Sequence, residues 1–191
     1  GELQSAPFVL ITLAVMESFG ISVEREGFHR FRVAPGAYRA QDFRVEGDAT
    51  AAGNFWVAAA VTGGTVKVAN VGRASSQGDT RLAEVLEQMG CMVSWTADSC
   101  TVQGPPRGEL SGGEFDLNDI PDQARALAVA GLFTDSPLTI TNVYNMRIKE
   151  TDRIAAVATE LRRIGAVVEE GRDWLRVVPQ ASYRPARDRK S

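Results

Sequence analysis

The chain repeats itself, and the repeat limits what it can fold into more than any other feature. Three segments share one pattern: Leu10 to Ala34, Arg81 to Gln103 and Arg153 to Val178. Each opens with apolar residues every three or four positions, the mark of an amphipathic helix. In the third, Ile154, Val157, Leu161 and Ile164 share one face. Each helix is expected to stop at a glycine, Gly20, Gly90 or Gly165, because glycine accepts the left-handed geometry that ends helices. A strand, a polar turn and a second strand follow, which predicts a hairpin, with His29 in a strand.

A second kind of segment lies between these. Val45 to Val71 resembles Phe115 to Val143, and both read as strand, acidic loop, Ala-rich helix, turn and strand. Asp48 with Thr50, and Asp119 with Asp122, supply acids to the helix starts. The Ala-rich helices are apolar nearly all round and are expected to be buried, as is the stretch Phe8 to Val15. The whole reads as an α/β (α+β) chain of βαβαββ units with a period of roughly seventy residues. Residues 1–36 read as the remnant of an upstream unit, 37–110 and 111–180 as two full units, and 181–191 as a mobile basic tail. A chain that begins mid-unit, at Gly1 and without Met, points to excision from a longer one.

Composition removes several functions. Hydrophobic residues are 44% and charged residues 24%, enough for a core. A net charge of −3 argues against a nucleic-acid partner. No apolar run approaches the ~18 residues a bilayer needs, and no basic leader precedes an apolar stretch. Two cysteines, Cys91 and Cys100, read as free thiols of a cytoplasmic protein. With one histidine they do not make a zinc site, so no metal is expected. No phosphate-cradling GxxxxGK[ST], no GxGxxG and no nucleophile elbow is present.

Two stretches carry charge in patterns that chemistry could use. In Asn118-Asp119-Ile120-Pro121-Asp122 a proline starts a helix between two carboxylates. They read either as caps or as a general base held at a strand end. In Asn145 to Arg153, three cations and two carboxylates fall between Arg147 and Arg153. A helix starting near Lys149 would bring Lys149, Glu150 and Arg153 to an N-terminal end suited to anions. The alternative is a solvated, charged helix start.

Tyr144 to Arg153, YNMRIKETDR, closely resembles the signature YNWRVKETDR of the 5-enolpyruvylshikimate-3-phosphate synthase family of enolpyruvyl transferases. Other segments resemble that family in order: Val45 to Ala49 its VEGDAS, Gln77-Gly78-Asp79 with Leu86 to Gly90 its QGD and LEKMG, and Asn118 to Phe133 its N-x-I-P-D helix. The resemblance implies an inside-out barrel of βαβαββ units and transfer of the enolpyruvyl group of phosphoenolpyruvate to shikimate 3-phosphate, with no cofactor. It implies that Asp122 is a proton acceptor holding the shikimate hydroxyls and that Glu150 is an acid/base. It implies Ser5, Asn145 and Lys149 as shikimate 3-phosphate ligands and Arg153 as a phosphoenolpyruvate clamp.

The chain departs from the family pattern where Phe8 replaces a tyrosine and Met146 a tryptophan. The family's other lysine and arginine motifs do not occur in it. The expectation is therefore a partial chain, inactive alone, that needs a complementary domain or self-association. The alternatives are a non-catalytic anion-binding module or a structural remnant. Related transferases acting on UDP-N-acetylglucosamine share the fold, but the RxKETDR pattern fits the shikimate branch better.

Overall fold

The computed structural model describes residues 6–186. Helix α1 (Ala6–Ser18) leads into a hairpin, β1 (Val23–Glu26) with β2 (Arg30–Val33). Next come α2 (Ala49–Thr62), β3 (Thr65–Ala69), α3 (Leu82–Gln88), β4 (Met92–Trp95) and β5 (Ser99–Gln103). The remainder is β6 (Gly113–Asp116), α4 (Ala124–Ala130), β7 (Leu138–Thr141), α5 (Arg153–Arg163), β8 (Val167–Glu170) and β9 (Leu175–Val178).

The sheets follow the repeat. One is antiparallel in the order β3-β5-β4; the other runs β6-β7-β9-β8, with β6 and β7 parallel. Helices α2 and α4 lie side by side, each against its own sheet, while α3 packs near β4 and α5 near β8. Trp56, Leu82, Leu86, Met89, Leu127 and Ile140 fill the core between them. Trp95 meets Trp56 edge to face with ring centres 6.1 Å apart. After β3 and β7 the chain turns at Asn70 and Asn142, both left-handed (φ 61° and 59°), a geometry asparagine tolerates better than most residues. Gly20, Gly90 and Gly165 all have positive φ, as the sequence predicts for helix ends.

Several expectations fail for identifiable reasons. No strand forms around Val45 to Gly47; instead Gly47 N–H reaches Asn70 O at 2.7 Å and Asn70 Nδ2 donates to Val45 O at 2.9 Å. The preceding chain follows the end of α1 instead: Arg39 N–H donates to Phe19 O, and the rings of Tyr38 and Phe43 pack on Phe19. Helix α1 buries none of its residues, because no layer covers it among the described residues. The Ala-rich helices are buried on one side only, with Phe55 and Val129 exposed. His29 sits in the turn between β1 and β2. The start of the tail is docked: Tyr183 donates its hydroxyl to Leu132 O, and Arg184 N–H reaches Ile164 O. No helix among the described residues is long and apolar enough to cross a membrane.

Candidate functional site

The segment between β7 and α5 is where the charges gather. A short 3-10 turn spans Tyr144–Ile148 and ends at Lys149 in extended geometry. Helix α5 starts only at Arg153, capped by Asp152, whose carboxylate accepts from Ala155 N–H at 2.9 Å. The helix expected to begin near Lys149 therefore begins four residues later. Thr151 and Asp152 are the residues that favour a cap over a helix interior.

Arg153, at the first turn of α5, carries two ion pairs. Its guanidinium meets Asp122 Oδ1 at 2.5 Å and Glu150 Oε2 at 2.5 Å. The Asp122 pair is well shielded, whereas Glu150 is exposed. Glu150's own backbone N–H and then Arg153 hold its carboxyl below the ordinary value. Asp122 does not cap α4; it lies inside a 3-10 turn, Pro121–Gln123, and spends its carboxylate on Arg153. Lys149 is half-buried and has no ion pair among the described residues. Asn145 is buried, and its Oδ1 has no hydrogen-bond partner among the described residues. Ser5 lies outside the described residues. The structure thus brings Asp122, Glu150 and Arg153 into contact and leaves Lys149 close by in the chain.

Two further groups, Asp79 and Gln123, adjoin this centre and a third, Glu46, holds the approach to α2; none was singled out from the sequence. Asp79 is 5% exposed, and burial, then the charge of Asp122, push its carboxyl up, partly offset by Thr50 and Gln123. Gln123 is fully buried; its Nε2 donates to Ala49 O at 3.1 Å, joining the Asp122 turn to the start of α2. Its Oε1 faces Gly53, where a Cβ would sit 2.1 Å away. Glu46 accepts from Ser75 Oγ, from Ser76 N–H and Oγ, and from Gln77 Nε2. Burial opposes its charge, but those bonds win and hold the carboxyl low. Gln77 also receives Ala49 N–H at 2.9 Å and donates to Gly47 O at 2.7 Å, fixing the chain around the Asp48 cap. The signal was present in the sequence: Glu46, Gln77 and Asp79 all stand inside resembling segments.

A groove of about 580 Å³ runs between α2 and α4 and opens beside Asp122. Its walls are mainly apolar, with Val57, Val61, Ala126 and Val129 among them. No group of three or more His, Cys, Asp or Glu side chains among the described residues is arranged to hold a metal ion. Both thiols are buried, Cys91 pushed up to about 11 and Cys100 to about 12 by desolvation, so neither is a ready nucleophile.

Comparisons with known proteins bear on the family and the fold. The family model for EPSP synthase (3-phosphoshikimate 1-carboxyvinyltransferase) matches residues 1–187. The 3-phosphoshikimate 1-carboxyvinyltransferase of Edwardsiella ictaluri (strain 93-146) is 49% identical over 190 residues, covering 97% of this chain and 43% of that protein. That of Yersinia pseudotuberculosis serotype O:3 (strain YPIII) is 50% identical over 188 residues, with the same coverage. The chain thus spans less than half the length of these relatives. Among solved structures, an EPSP synthase from Acinetobacter baumannii superposes with a TM-score of 0.71 at 24% identity, covering 88% of this chain and 40% of that one. The enolpyruvyl transferase NikO from Streptomyces tendae gives 0.67 at 19% identity, covering 91% and 40%. At those identities the two structures speak for the fold alone. With the fold, the signature loop and the sequence match over nearly its whole length in agreement, this chain belongs to the EPSP synthase family.

Proposed function

We propose that this chain supplies part of a site that transfers the enolpyruvyl group of phosphoenolpyruvate to the 5-hydroxyl of shikimate 3-phosphate. The observation that carries the reading is the Arg153 guanidinium, held between Asp122 and Glu150 at 2.5 Å each. Two carboxylates with one cation between them suit a condensation that must move protons beside anionic substrates.

In this reading Asp122 holds the shikimate hydroxyls and accepts the proton of the attacking one. Glu150 serves the phosphoenolpyruvate methylene as acid and base, and Arg153 clamps the phosphoenolpyruvate anion. Lys149, Asn145 and Ser5 bind shikimate 3-phosphate. Half-buried Lys149, which makes no ion pair among the described residues, supports its part, and Asn145 adds a buried Oδ1 with no partner among them. The oxygen–carbon bond forms as the methylene gains a proton, giving a tetrahedral adduct. Loss of that proton and of phosphate completes the transfer. Residues 1–36, 37–110, 111–180 and 181–191 are proposed as the divisions of the chain. The buried free thiols fit a cytoplasmic setting. A complementary domain, or a second copy, completes the charge around the anions.

Isothermal titration with shikimate 3-phosphate, with and without phosphoenolpyruvate, tests the reading. A saturable heat that grows when phosphoenolpyruvate is present is expected. No heat from a chain shown by circular dichroism to be folded would sink the claim that these residues recognise shikimate 3-phosphate.

A further inference from the structure

Arg147 stands within the signature loop, where a cation invites assignment to a substrate anion. Its side chain goes elsewhere. Nε donates to Arg172 O at 3.0 Å and Nη1 to Asp152 Oδ2 at 2.7 Å. Nη2 donates to Glu170 Oε2 at 3.1 Å and to Gly171 O. Three of these acceptors belong to the end of β8 and the turn that follows it; the fourth caps α5. Burial opposes the guanidinium's charge, but Asp152 and Glu170 outweigh it and raise its pKa above the ordinary arginine value.

The acceptors are themselves tied down. The other oxygen of Asp152 holds Ala155 N–H at 2.9 Å. The other oxygen of Glu170 takes Arg162 Nη1 at 2.9 Å, and Arg162 also grips Val168 O through Nε and Nη2 at 3.1 and 2.8 Å. Arg147 is thus the joint of a chain of charges that runs from α5 through the β8–β9 hairpin and back to the start of α5. Between Arg147 and Asp152 the chain carries Lys149 and Glu150. Glu150 and Thr151 make no backbone–backbone bond among the described residues, so their course depends on how the two ends are held.

We infer that Arg147 is a positioning residue: it touches no substrate, and it sets where Lys149, Glu150 and Arg153 stand relative to Asp122. The inference rests on the enolpyruvyl-transfer reading for the roles of those neighbours. A lysine cannot replace it. The planar guanidinium fork reaches four acceptors lying in different directions, which a single ammonium on a flexible stem does not.

The test compares the full chain with Arg147→Lys and Glu170→Gln. Amide hydrogen exchange is read over residues 148–156, with α3 and α4 as internal references, and shikimate 3-phosphate is titrated into each protein. Arg147→Lys is expected to speed exchange over 148–156 by about tenfold, leave α3 and α4 unchanged and weaken binding by about tenfold or more. Glu170→Gln, which keeps the shape and loses one charge, is expected to loosen the same segment to a smaller extent. Should Arg147→Lys unfold the chain as a whole, Glu170→Gln carries the test by itself. Parent-like exchange over 148–156 in the readable variants overturns the inference. If binding is lost while that exchange stays parental, Arg147 is a direct ligand and the inference also fails. If the parent chain binds no shikimate 3-phosphate, the functional reading fails, and the exchange result still decides whether Arg147 holds the loop.

Discussion

Arg153 and Asp122 stand 31 positions apart in sequence and meet at 2.5 Å, the guanidinium Nη1 against Oδ1. Because Glu150 holds the same guanidinium, the cation is fully engaged with carboxylates when no ligand is bound. An incoming anion must therefore exchange with one of them. The exposed Glu150 is the easier to displace.

Asp122→Asn keeps the shape of the turn and removes the charge. It is expected to weaken shikimate 3-phosphate binding about tenfold or more, since a charge-assisted bond contributes roughly 1.5–3 kcal/mol. Lys149→Ala should do the same with a change in stability within about 0.5 kcal/mol, because the ammonium makes no ion pair among the described residues and acts on Glu150 only through its charge. Titration calorimetry beside thermal melts checks both. Parent-like affinity in the two variants would remove Asp122 and Lys149 from the site.

Asp79→Asn should stabilise the fold at neutral pH. Burial, then Asp122, raise the Asp79 pKa in the folded chain. A raised carboxyl means that the folded state binds more protons than the unfolded one, so stability falls as pH climbs through that window. An asparagine avoids the loss. The gain in melting temperature should be present at pH 7 and vanish near pH 3; a variant that melts lower than the parent at both pH values contradicts this.

Gly53→Ala should destabilise, although alanine is the better helix former by about 1 kcal/mol. The new methyl would meet Gln123 Oε1 at 2.1 Å and Leu82 Cδ2 at 2.8 Å, both in packed surroundings. Overpacking of that kind costs about 1–3 kcal/mol. Chemical denaturation gives the sign directly. Since Gln123 adjoins Asp122, ligand affinity should fall with it.

Acid should loosen the signature loop before the core. Asp152 has a lowered pKa, mainly through Ala155 N–H and also through Arg147, so it contributes stability above the ordinary carboxylate range. That contribution is lost as pH falls through its folded value. Hydrogen exchange at pH 7 and at about pH 2, below the ordinary aspartate range and corrected for intrinsic rates, should show 148–156 losing protection first. Uniform loss across α3, α4 and the loop would contradict it.

The features legible in the sequence were those decided locally. Helix ends at Gly20, Gly90 and Gly165 needed only a residue that accepts positive φ. The strand Met92 to Trp95 and the Asp48 cap, bonded to Ala51 N–H at 3.0 Å, followed from neighbours a few positions away. The features that escaped depend on distant partners. Apolar periodicity predicts that α1 wants cover, but not whether cover is present. Nothing near Val45 says that Phe43 will pack on Phe19, and nothing near Asp79 says that Asp122 lies within reach of its charge. At the candidate site the residue types were readable from the signature, whereas the pairing of Arg153 with Asp122 required the fold.

The strand missing before α2 leaves a mark on β3. In the second sheet β6 shields one side of β7, but β3 pairs only with β5, so among the described residues its outer row of N–H and C=O groups stays open. Such an edge is a template for other chains, and a charge in its middle is a common guard against stacking. Lys67, exposed at the centre of β3, occupies that place. Replacing it with valine would turn a tolerated edge into an aggregation seed, making one ammonium far from the candidate site a determinant of whether this chain stays in solution.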